Sequence, residues 1–256
     1  MSGTVAVVTG AAGDIGLAIA QRLSQTHDKI LLVDLNEEAL ASISRDLGNA
    51  FTPHVCDVTD PTACKAMAAS AMALGGVTTL VNNAGAARAV SLGDTTPEIF
   101  KQDMVLNLEA CYLTFQALES ALRETSGSVV NIASVNGLGV FGHPAYSAAK
   151  AGMVHLTKLI AVEYGKYGIR SNAVAPGTVR TQAWEERAAA NPNVFEEAKR
   201  WYPLQRVARP LDVANAVAFL SGPEASAISG VCLPVDCGLL AGQAELARTF
   251  SQSDHY

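Results

Sequence analysis

The sequence lacks the features that mark several large classes of protein. Its 18 Lys and Arg residues form no cluster and its net charge is -6, which argues against nucleic acid or an anionic membrane as a partner. Gly, Asp or Asn interrupts each apolar run before it reaches membrane-spanning length. The first residues lead into an apolar strand pattern without a basic segment, so we expect a cytoplasmic protein.

Cysteine and histidine are also sparse and scattered. The five Cys residues are an odd number without a C-x-x-C pair, so we expect neither a disulfide framework nor a zinc site. None of the five His residues has a second His or a carboxylate at metal-ligand spacing. We therefore expect buried thiols and no metal.

The abundant residues predict an α/β fold in one domain. Hydrophobic residues make up 49% of the 256 positions and charged residues 16%, as in a globular chain with a large core. Apolar runs alternate with segments of helical periodicity, which favours a doubly wound parallel sheet of about seven strands with helices on both faces. The tail to Tyr256 is weakly patterned. The predicted strands are residues 4–9, 29–33, 51–55, 77–81, 127–133, 169–175 and 231–235.

A glycine-rich turn follows the first predicted strand. Residues 9–16 read Thr-Gly-Ala-Ala-Gly-Asp-Ile-Gly, and apolar residues recur at helical spacing from Ile15. Between a strand and a helix, such glycines permit a tight turn, let the backbone approach a pyrophosphate, and allow the helix to pack closely on the sheet. The N–H groups at the helix start favour the same phosphates. We place Asp14 at the N-cap of this helix.

Asp34 stands at the carboxyl end of the second predicted strand, eighteen residues after Gly16. A carboxylate there accepts both hydroxyls of an adenosine ribose and repels a 2′-phosphate. No Arg or Lys in the glycine turn or just after Asp34 offers to bind that phosphate. The sequence thus favours NAD over NADP. The alternative is that Asp34 caps the helix that begins near Asn36.

Polar residues also follow the third and fourth strands. Asp57 lies just past one strand end and Asn83 past the next, where open α/β sheets place ligand contacts. The alternative for Asn83 is a turn scaffold, because Asn side chains bond nearby main chain. Asn107 falls inside a predicted helix, and an Asn in a helix interior weakens the helix slightly. We expect it either to face solvent or to be hydrogen-bonded.

Tyr146 and Lys150 carry the chemistry. On a helix from Pro144, their four-residue spacing places phenol and ammonium on one face, and Ser134 lies twelve residues upstream. A tyrosine phenol has a pKa of ~10. To act as an acid/base near neutral pH, it needs about 4 kcal/mol of added preference for the phenolate form. An ammonium ~5 Å away at an effective dielectric of ~20 supplies about 3 kcal/mol. An oxidised nicotinamide ring would supply the rest. Taken alone, the pair also fits a helix with a surface Lys.

The chain resembles the short-chain dehydrogenase/reductase family, in its compact single-domain form, over essentially its whole length. This implies a Rossmann-type sheet, with residues 1–256 as a single dinucleotide-binding and catalytic domain. It implies that Tyr146 is the acid/base, Lys150 lowers its pKa and binds the nicotinamide ribose, Ser134 holds the reacting oxygen, and Asn107 holds a relay water. The matching motifs are the turn at residues 9–16, Asp57, Asn82 to Gly85, Asn107, Ser134, Tyr146, Lys150, Pro176, Gly177, Thr181, residues 210–220 and Asp236.

The resemblance also implies coenzyme contacts and subunit contacts. Helices around residues 107–122 and 146–167 would pair between subunits in a homotetramer or homodimer. Two positions depart from the family pattern: Gly13 and Asp14 are exchanged, and Cys237 stands where a Gly is common. Both bear on coenzyme affinity. We expect NAD to contact Gly10, Gly13, Asp14, Ile15, Gly16, Asp34, Leu35, Asp57, Val58, Asn83, Ala84, Gly85, Tyr146, Lys150, Pro176, Gly177, Val179 and Thr181.

We expect a small hydrophobic substrate, such as the cyclic secondary alcohol of a terpenoid or hydroxysteroid, or its ketone. Residues 136–143 and 184–202 are aromatic and apolar without a basic cluster, although Arg88 and Arg180 offer cations for an anionic substrate. Aromatic residues lie among charged ones in residues 182–209, a pattern that predicts amphipathic helices. These helices would form either a lid over the substrate or an ordinary pair of surface helices. One alternative is a 3-oxoacyl-type ketoreductase, against which Asp34 argues. Another is a non-catalytic NAD-sensing protein, against which the set Asn107, Ser134, Tyr146 and Lys150 argues, because a sensor needs no proton relay.

Overall fold

A parallel β-sheet forms the centre of the protein. The computed structural model describes residues 3–182, 184, 191–253 and 255. The strands are β1 Thr4–Thr9, β2 Lys29–Asp34, β3 Phe51–Val55, β4 Gly76–Asn82, β5 Ser128–Ile132, β6 Arg170–Pro176 and β7 Cys232–Val235. They lie in the order β3-β2-β1-β4-β5-β6-β7. Because this order reverses between β1 and β4, the chain leaves the two strands toward opposite faces and opens a crevice at their carboxyl ends.

Helices cover both faces of the sheet. They are α1 Asp14–Leu23, α2 Glu37–Leu47, α3 Pro61–Leu74, α4 Pro97–Met104, α5 Ala110–Thr125, α6 Pro144–Tyr164, α7 Val194–Lys199, α8 Pro210–Ser221 and α9 Ala244–Ser251. Along β1, Ala6 and Val8 pack with α1, α2 and α8, whereas Val5 and Val7 pack with α3, α5 and α6. This alternation of buried apolar side chains is why β1 carries no charge.

The predicted doubly wound sheet is confirmed, with each predicted strand end within one residue of its observed position. The cap of α1 was predicted wrongly. Gly13 is the N-cap and Asp14 is the first helical residue. Helix α2 begins at its own cap, because the Asn36 side chain accepts a hydrogen bond from the Ala39 N–H at 3.0 Å.

The helix predicted from Pro97 runs through a wider turn into the next one. Residues Val105–Glu109 form a π-helical turn that joins α4 to α5. Such turns accommodate one extra residue and occur often at functional sites. Asn107 lies inside this turn and is fully buried.

The carboxyl-terminal part of the chain contains more helix than its sequence pattern indicates. Residues 183 and 185–190 of the predicted lid lie outside the described residues, and α7 occupies part of the remainder. Helix α9 forms in the weakly patterned tail and buries none of its residues. None of the helices in the described ranges is long and apolar enough to cross a membrane.

Candidate active site

Three adjoining cavities follow the carboxyl ends of the strands. A first cavity of about 480 Å³ lies at the glycine turn, a central cavity of about 220 Å³ lies beside Tyr146, and an outer cavity of about 440 Å³ lies beyond it. Gly85 and Thr181 line all three. Each residue expected to contact the coenzyme lines the first or the central cavity. The structure therefore brings these residues together along one continuous groove.

Gly10 and Gly16 make the first cavity possible. Gly10 has φ +63, and a Cβ on it would lie 2.8 Å from the Ala84 Cα. A Cβ on Gly16 would lie 2.1 Å from the Gly10 carbonyl oxygen. Side chains at these positions would separate α1 from the sheet. The first N–H groups of α1, which have no acceptor within their own helix, are held at the cavity.

The Asp14 carboxylate is directed to the segment after β6. Its Oδ2 accepts a hydrogen bond from the Gln182 N–H at 2.6 Å. Gly13, as the N-cap, has an extended backbone, and a Cβ there would meet only the Gly10 oxygen, at 3.6 Å. The exchange of Gly and Asp therefore leaves the turn intact and links it to residue 182.

Asp34 ends β2 and faces the glycine turn. Its Oδ2 accepts a hydrogen bond from the Ala12 N–H and its Oδ1 accepts one from the Asn36 N–H, both at 3.0 Å. Since Asn36 is the cap of α2, the capping alternative for Asp34 is wrong. The next residue, Leu35, is 68% exposed at the cavity rim. The carboxylate is thus fixed at the edge of the first cavity.

Asn83 holds the turn after β4 to the glycine turn. Its Nδ2 donates to the carbonyls of Thr9 and Gly10 at 3.0 Å, and its N–H donates to the Thr9 Oγ1 at 3.0 Å. The scaffold interpretation therefore describes its side chain, while its position also lines two cavities. Asp57 behaves similarly, because its Oδ1 accepts hydrogen bonds from the N–H and hydroxyl of Thr59.

Ser134 and Tyr146 meet between the central and outer cavities. The Ser134 hydroxyl is a hydrogen-bonding partner of the phenol. It also accepts a hydrogen bond from the Asn136 N–H at 3.1 Å and lies 3.3 Å from the Asn136 Oδ1. The Asn136 Nδ2 donates to the Gly142 carbonyl at 2.9 Å. Asn136 therefore fixes the hydroxyl of Ser134 to the loop before α6.

Lys150 lies one turn after Tyr146 and is 2% exposed. Its Nζ donates to the Ile132 carbonyl at 2.7 Å and lies 5.5 Å from the centroid of the Tyr146 ring. Burial lowers the pKa of the Lys150 ammonium to about 8, because water no longer solvates the charge. The ammonium is thus held at the central cavity in an environment that disfavours it.

The pKa of Tyr146 does not follow the sequence argument in the chain alone. Burial raises this pKa, the hydrogen bond with Ser134 lowers it, and the carboxylate of Asp103 raises it. The prediction that Lys150 lowers the pKa of Tyr146 is therefore wrong for the chain without a bound coenzyme. A lowered Tyr146 pKa requires a further positive charge at the central cavity, as the sequence argument also indicated.

Asn107 is held by its amide nitrogen and leaves its oxygen without a partner. Its Nδ2 donates to the Ala86 carbonyl at 2.8 Å and to the Asp103 carbonyl at 2.9 Å. Its Oδ1 is buried and has no hydrogen-bond partner among the described residues. An unpaired buried acceptor costs about 1–3 kcal/mol. The Oδ1 therefore offers a site for a donor such as water.

Gly85 provides the space that such a donor needs. A Cβ on Gly85 would lie 2.6 Å from the Asn107 Oδ1 and 3.5 Å from the Lys150 Nζ. The absence of a side chain here keeps a gap between the two polar atoms. The expected relay from Lys150 through Asn107 fits this geometry.

Comparisons with known proteins agree with this arrangement. The profile of a family described as enoyl-(acyl carrier protein) reductase matches residues 10–240. A crystal structure of an oxidoreductase of the short-chain dehydrogenase/reductase family from Burkholderia thailandensis superimposes with a TM-score of 0.94 at 43% identity, covering 100% of both chains. The chain belongs to the short-chain dehydrogenase/reductase family.

Two curated relatives of this family are similar along almost their whole length. An uncharacterized oxidoreductase from Schizosaccharomyces pombe is 38% identical over 264 residues, covering 100% of this chain and 98% of its own. A galactitol 2-dehydrogenase (L-tagatose-forming) from Cereibacter sphaeroides is 34% identical over 244 residues, covering 93% and 95%. The protein is accordingly an oxidoreductase.

The short-chain dehydrogenases/reductases generally use NAD(P), and the residues of this chain fit such a dinucleotide. Gly10 and Gly16 leave a cradle that a Cβ would fill, and the start of α1 offers N–H groups. Asp34 lines the first cavity and offers carboxylate oxygens, which could accept hydrogen bonds from ribose hydroxyls. The unpaired Asn107 Oδ1 lies next to Gly85, which lines the same groove. The central cavity is also lined by Pro176, Gly177, Val179 and Thr181.

Cys237 stands where a Gly is common in the family, and its own backbone has a conformation that favours Gly. Its φ is 54, in the left-handed region, and it is 8% exposed. A left-handed non-Gly residue costs about 1–2 kcal/mol. The nearby Pro203 approaches Gly238, whose φ is +89. The Cys at this position therefore carries backbone strain two residues before Leu239 of the outer cavity.

Several residues of the site could not be found by motif. Cys56 and Leu106 line the first cavity, and Leu239 lines the outer one. They are ordinary apolar positions whose sequence context carries no signal. Tyr202, which ends the aromatic segment 184–202, also lines the outer cavity. The Tyr202 hydroxyl donates to the Thr178 Oγ1 at 2.8 Å, which holds the segment after β6 in place.

The two arginines considered for an anionic substrate have other contacts. Arg88 forms an ion pair with Asp103 at 2.5 Å. The Arg180 guanidinium lies 5.0 Å from the ring centroid of Phe195. Neither residue is part of the described lining of the central or outer cavity.

A larger cavity of about 780 Å³ lies at the amino ends of the strands, where Thr4, Ser128 and Arg170 line it. It contains none of the predicted site residues. Arg170, one of its cationic residues, donates to the carbonyls of Leu220, Ser221 and Gly222 at 2.6–3.0 Å. The guanidinium therefore caps α8, and the size of this cavity does not indicate an active site.

Proposed function

We propose that the protein is an NAD-dependent dehydrogenase that interconverts a secondary alcohol and its ketone. The observation that carries this proposal is the convergence of Ser134, Tyr146 and Lys150 on a cavity that continues into the first one. A substrate oxygen bound by Ser134 and Tyr146 would lie in the central cavity, which shares Ile15, Asn83, Gly85 and Thr181 with the first cavity. A galactitol 2-dehydrogenase among the relatives supports alcohol dehydrogenation.

The side chains divide the work of moving a proton. When bound, the nicotinamide exchanges hydride with the substrate carbon. Tyr146 gives its proton to the carbonyl oxygen in reduction and takes it back in oxidation, while the Ser134 hydroxyl holds the same oxygen. Lys150 contributes positive charge at the central cavity and passes protons through the space beside Asn107. The chain thus supplies position and electrostatics.

The preference for NAD rests on Asp34. Its carboxylate is fixed by the Ala12 and Asn36 N–H groups at the rim of the first cavity. A ribose hydroxyl donates to a carboxylate, whereas a 2′-phosphate would face like charge. The described lining of the first cavity contains no Lys or Arg that would offset this repulsion.

We infer that the substrate is a small hydrophobic, cyclic alcohol. The described lining of the outer cavity contains Val135, Phe141, Trp184 and Leu239 and no charged residue. Val90, Leu92 and Leu138 are further exposed apolar side chains, in the chain segments before α4 and α6. Burial of an apolar ring in the outer cavity gains about 25 cal/mol per Å².

We also propose a homotetramer or homodimer with paired helices. Helices α5 and α6 expose Tyr112, Leu159 and Val162, the last at 81%. Burial of such side chains against the same helices of a second copy would remove them from water. Sedimentation velocity distinguishes monomer, dimer and tetramer, and a monomer at micromolar concentration would contradict this proposal.

The experiment is an assay of Tyr146→Phe against a panel of linear and cyclic secondary alcohols with NAD and NADP, read by absorbance of the reduced coenzyme. We expect the variant to lose at least about 10³-fold in kcat, since general acid/base groups contribute up to about 10⁴-fold. Its Kd for NAD should stay within about twofold, because the phenol does not form the first cavity. The matched control is Tyr164→Phe on the same helix. A Tyr146 variant with substantial turnover would refute the assigned role.

A further inference from the structure

His143 is held in a strained backbone conformation at the start of α6. Its φ is 54, in the left-handed region, directly after Gly142 with φ 82. Its N–H donates to the Val90 carbonyl at 3.0 Å. Non-glycine residues rarely adopt this conformation, and when they do the surrounding structure must hold them there. The position of the ring is therefore set by the loops around it.

A single contact fixes the tautomer of this ring. The His143 Nδ1 lies 2.9 Å from the Ala89 carbonyl oxygen. A carbonyl only accepts, so Nδ1 carries the hydrogen, and in the neutral ring Nε2 is then an acceptor. Among the described residues Nε2 has no hydrogen-bond partner. The ring consequently presents an unpaired acceptor.

The ring belongs to the wall of the outer cavity. His143 lines this cavity together with Ser134, Asn136 and Tyr146. Its centroid lies 6.5 Å from the Tyr146 ring centroid, with the two planes at 78°. A molecule whose reacting oxygen is bound by Ser134 and Tyr146 therefore has other atoms within reach of this ring.

We propose that the Nε2 of His143 accepts a hydrogen bond from a second hydroxyl of the substrate, so that the enzyme prefers a diol to the mono-alcohol of the same skeleton. This inference rests on the proposed function and names its substrate class. A hydroxyl is the favoured group because the ring offers a lone pair, which a carboxylate would meet with repulsion. The described lining of the outer cavity also supplies no cation for an acid.

The test compares cyclohexanol with cis- and trans-1,2-cyclohexanediol in NAD reduction. In the wild-type enzyme we expect one diol isomer to exceed cyclohexanol about tenfold in kcat/KM, the effect of one hydrogen bond. His143→Asn tolerates the left-handed backbone and keeps a donor for Ala89, but is too short to reach the substrate. His143→Phe keeps the ring without either nitrogen.

In both variants we expect the ratio of the two kcat/KM values, diol to mono-alcohol, to fall to about one, because only the diol loses a hydrogen bond. The matched controls are His155→Asn and His155→Phe, at an exposed position on the same helix. They should keep the wild-type ratio. The conservative Asn variant separates recognition from damage to the loop, because damage would lower both substrates together.

Three results would overturn the inference. One is an equal loss for diol and mono-alcohol in both variants, and another is a wild-type ratio of one. A third is a wild-type preference for 2-hydroxycyclohexanecarboxylate over either diol. All three leave the proposed function standing, since alcohol is still oxidised. Absence of NAD reduction with every alcohol would instead reject the proposed function, and this inference with it.

Discussion

Replacement of Lys150 by Met should make the protein more stable than wild type near neutral pH. This gain in unfolding free energy should become much smaller in alkali. The ordinary pKa of 10.5 falls to about 8 in the folded chain because the ammonium is buried. This difference corresponds to about 3 kcal/mol that the charged group costs the folded state. Met has a similar length and no charge, so the substitution removes this cost.

The sign follows from proton binding. Between the two pKa values the unfolded chain holds a proton on Lys150 that the folded chain has released, so the unfolding free energy of wild type rises with pH. Between pH 7 and 9.5 the rise is about 2 kcal/mol, and the Met variant lacks it. Burial raises the pKa of Cys111, beside Lys150, to about 11, so this thiol stays protonated throughout the range.

Urea titrations followed by circular dichroism give the two unfolding free energies at each pH. The lost hydrogen bond to Ile132 shifts the difference between the proteins by a constant, whereas the charge changes it with pH. Lys158→Met, at an exposed position on the same helix, should show no pH-dependent difference from wild type. A constant difference between wild type and Lys150→Met from pH 7 to 9.5 would refute the reasoning, because the ammonium would then have its ordinary pKa.

Two further predictions concern the groove. Asp34→Asn removes the charge and keeps one of the two backbone acceptors. We expect kcat/KM with NAD to fall about tenfold and kcat/KM with NADP to rise, and an unchanged ratio of the two coenzymes would contradict the role of the carboxylate. Gly85→Ala places a Cβ 2.6 Å from the Asn107 Oδ1 and should lower kcat at least about tenfold. Gly93→Ala, whose Cβ would meet only Ser91 Oγ at 3.8 Å, is its control, and equal activity in both variants would exclude a relay beside Asn107.

Local patterns in the sequence predict the sheet and most of the groove. Strand β1 is readable because each of its faces needs apolar side chains, and Gly10 and Gly16 are readable because the turn leaves no space for a Cβ. Asp34 and Tyr146 follow from chemistry at a strand end and on a helix face. In each case the signal lies within about one turn or one strand of the residue concerned.

What the sequence does not predict depends on partners far along the chain. The bond of Asp14 to residue 182 joins positions 168 apart, and the tautomer of His143 depends on Ala89. The left-handed Cys237 has no local signal either, since Cys does not favour that backbone. The pKa of Tyr146 is raised in the folded chain because burial, together with the Asp103 carboxylate, outweighs the hydrogen bond with Ser134, and spacing cannot measure burial.

The wide turn at Val105–Glu109 has a consequence for how this chain can vary in length. A π turn houses one surplus residue, and each residue of an ordinary helix advances the side chains by about 100°. Without the wide turn the surplus residue would rotate α4 against α5 by that angle, whereas the turn absorbs it and both Asp103 and Thr114 stay buried. Loss of one residue here would therefore leave an ordinary helix with both flanks in place, but it would remove the turn that holds Asn107.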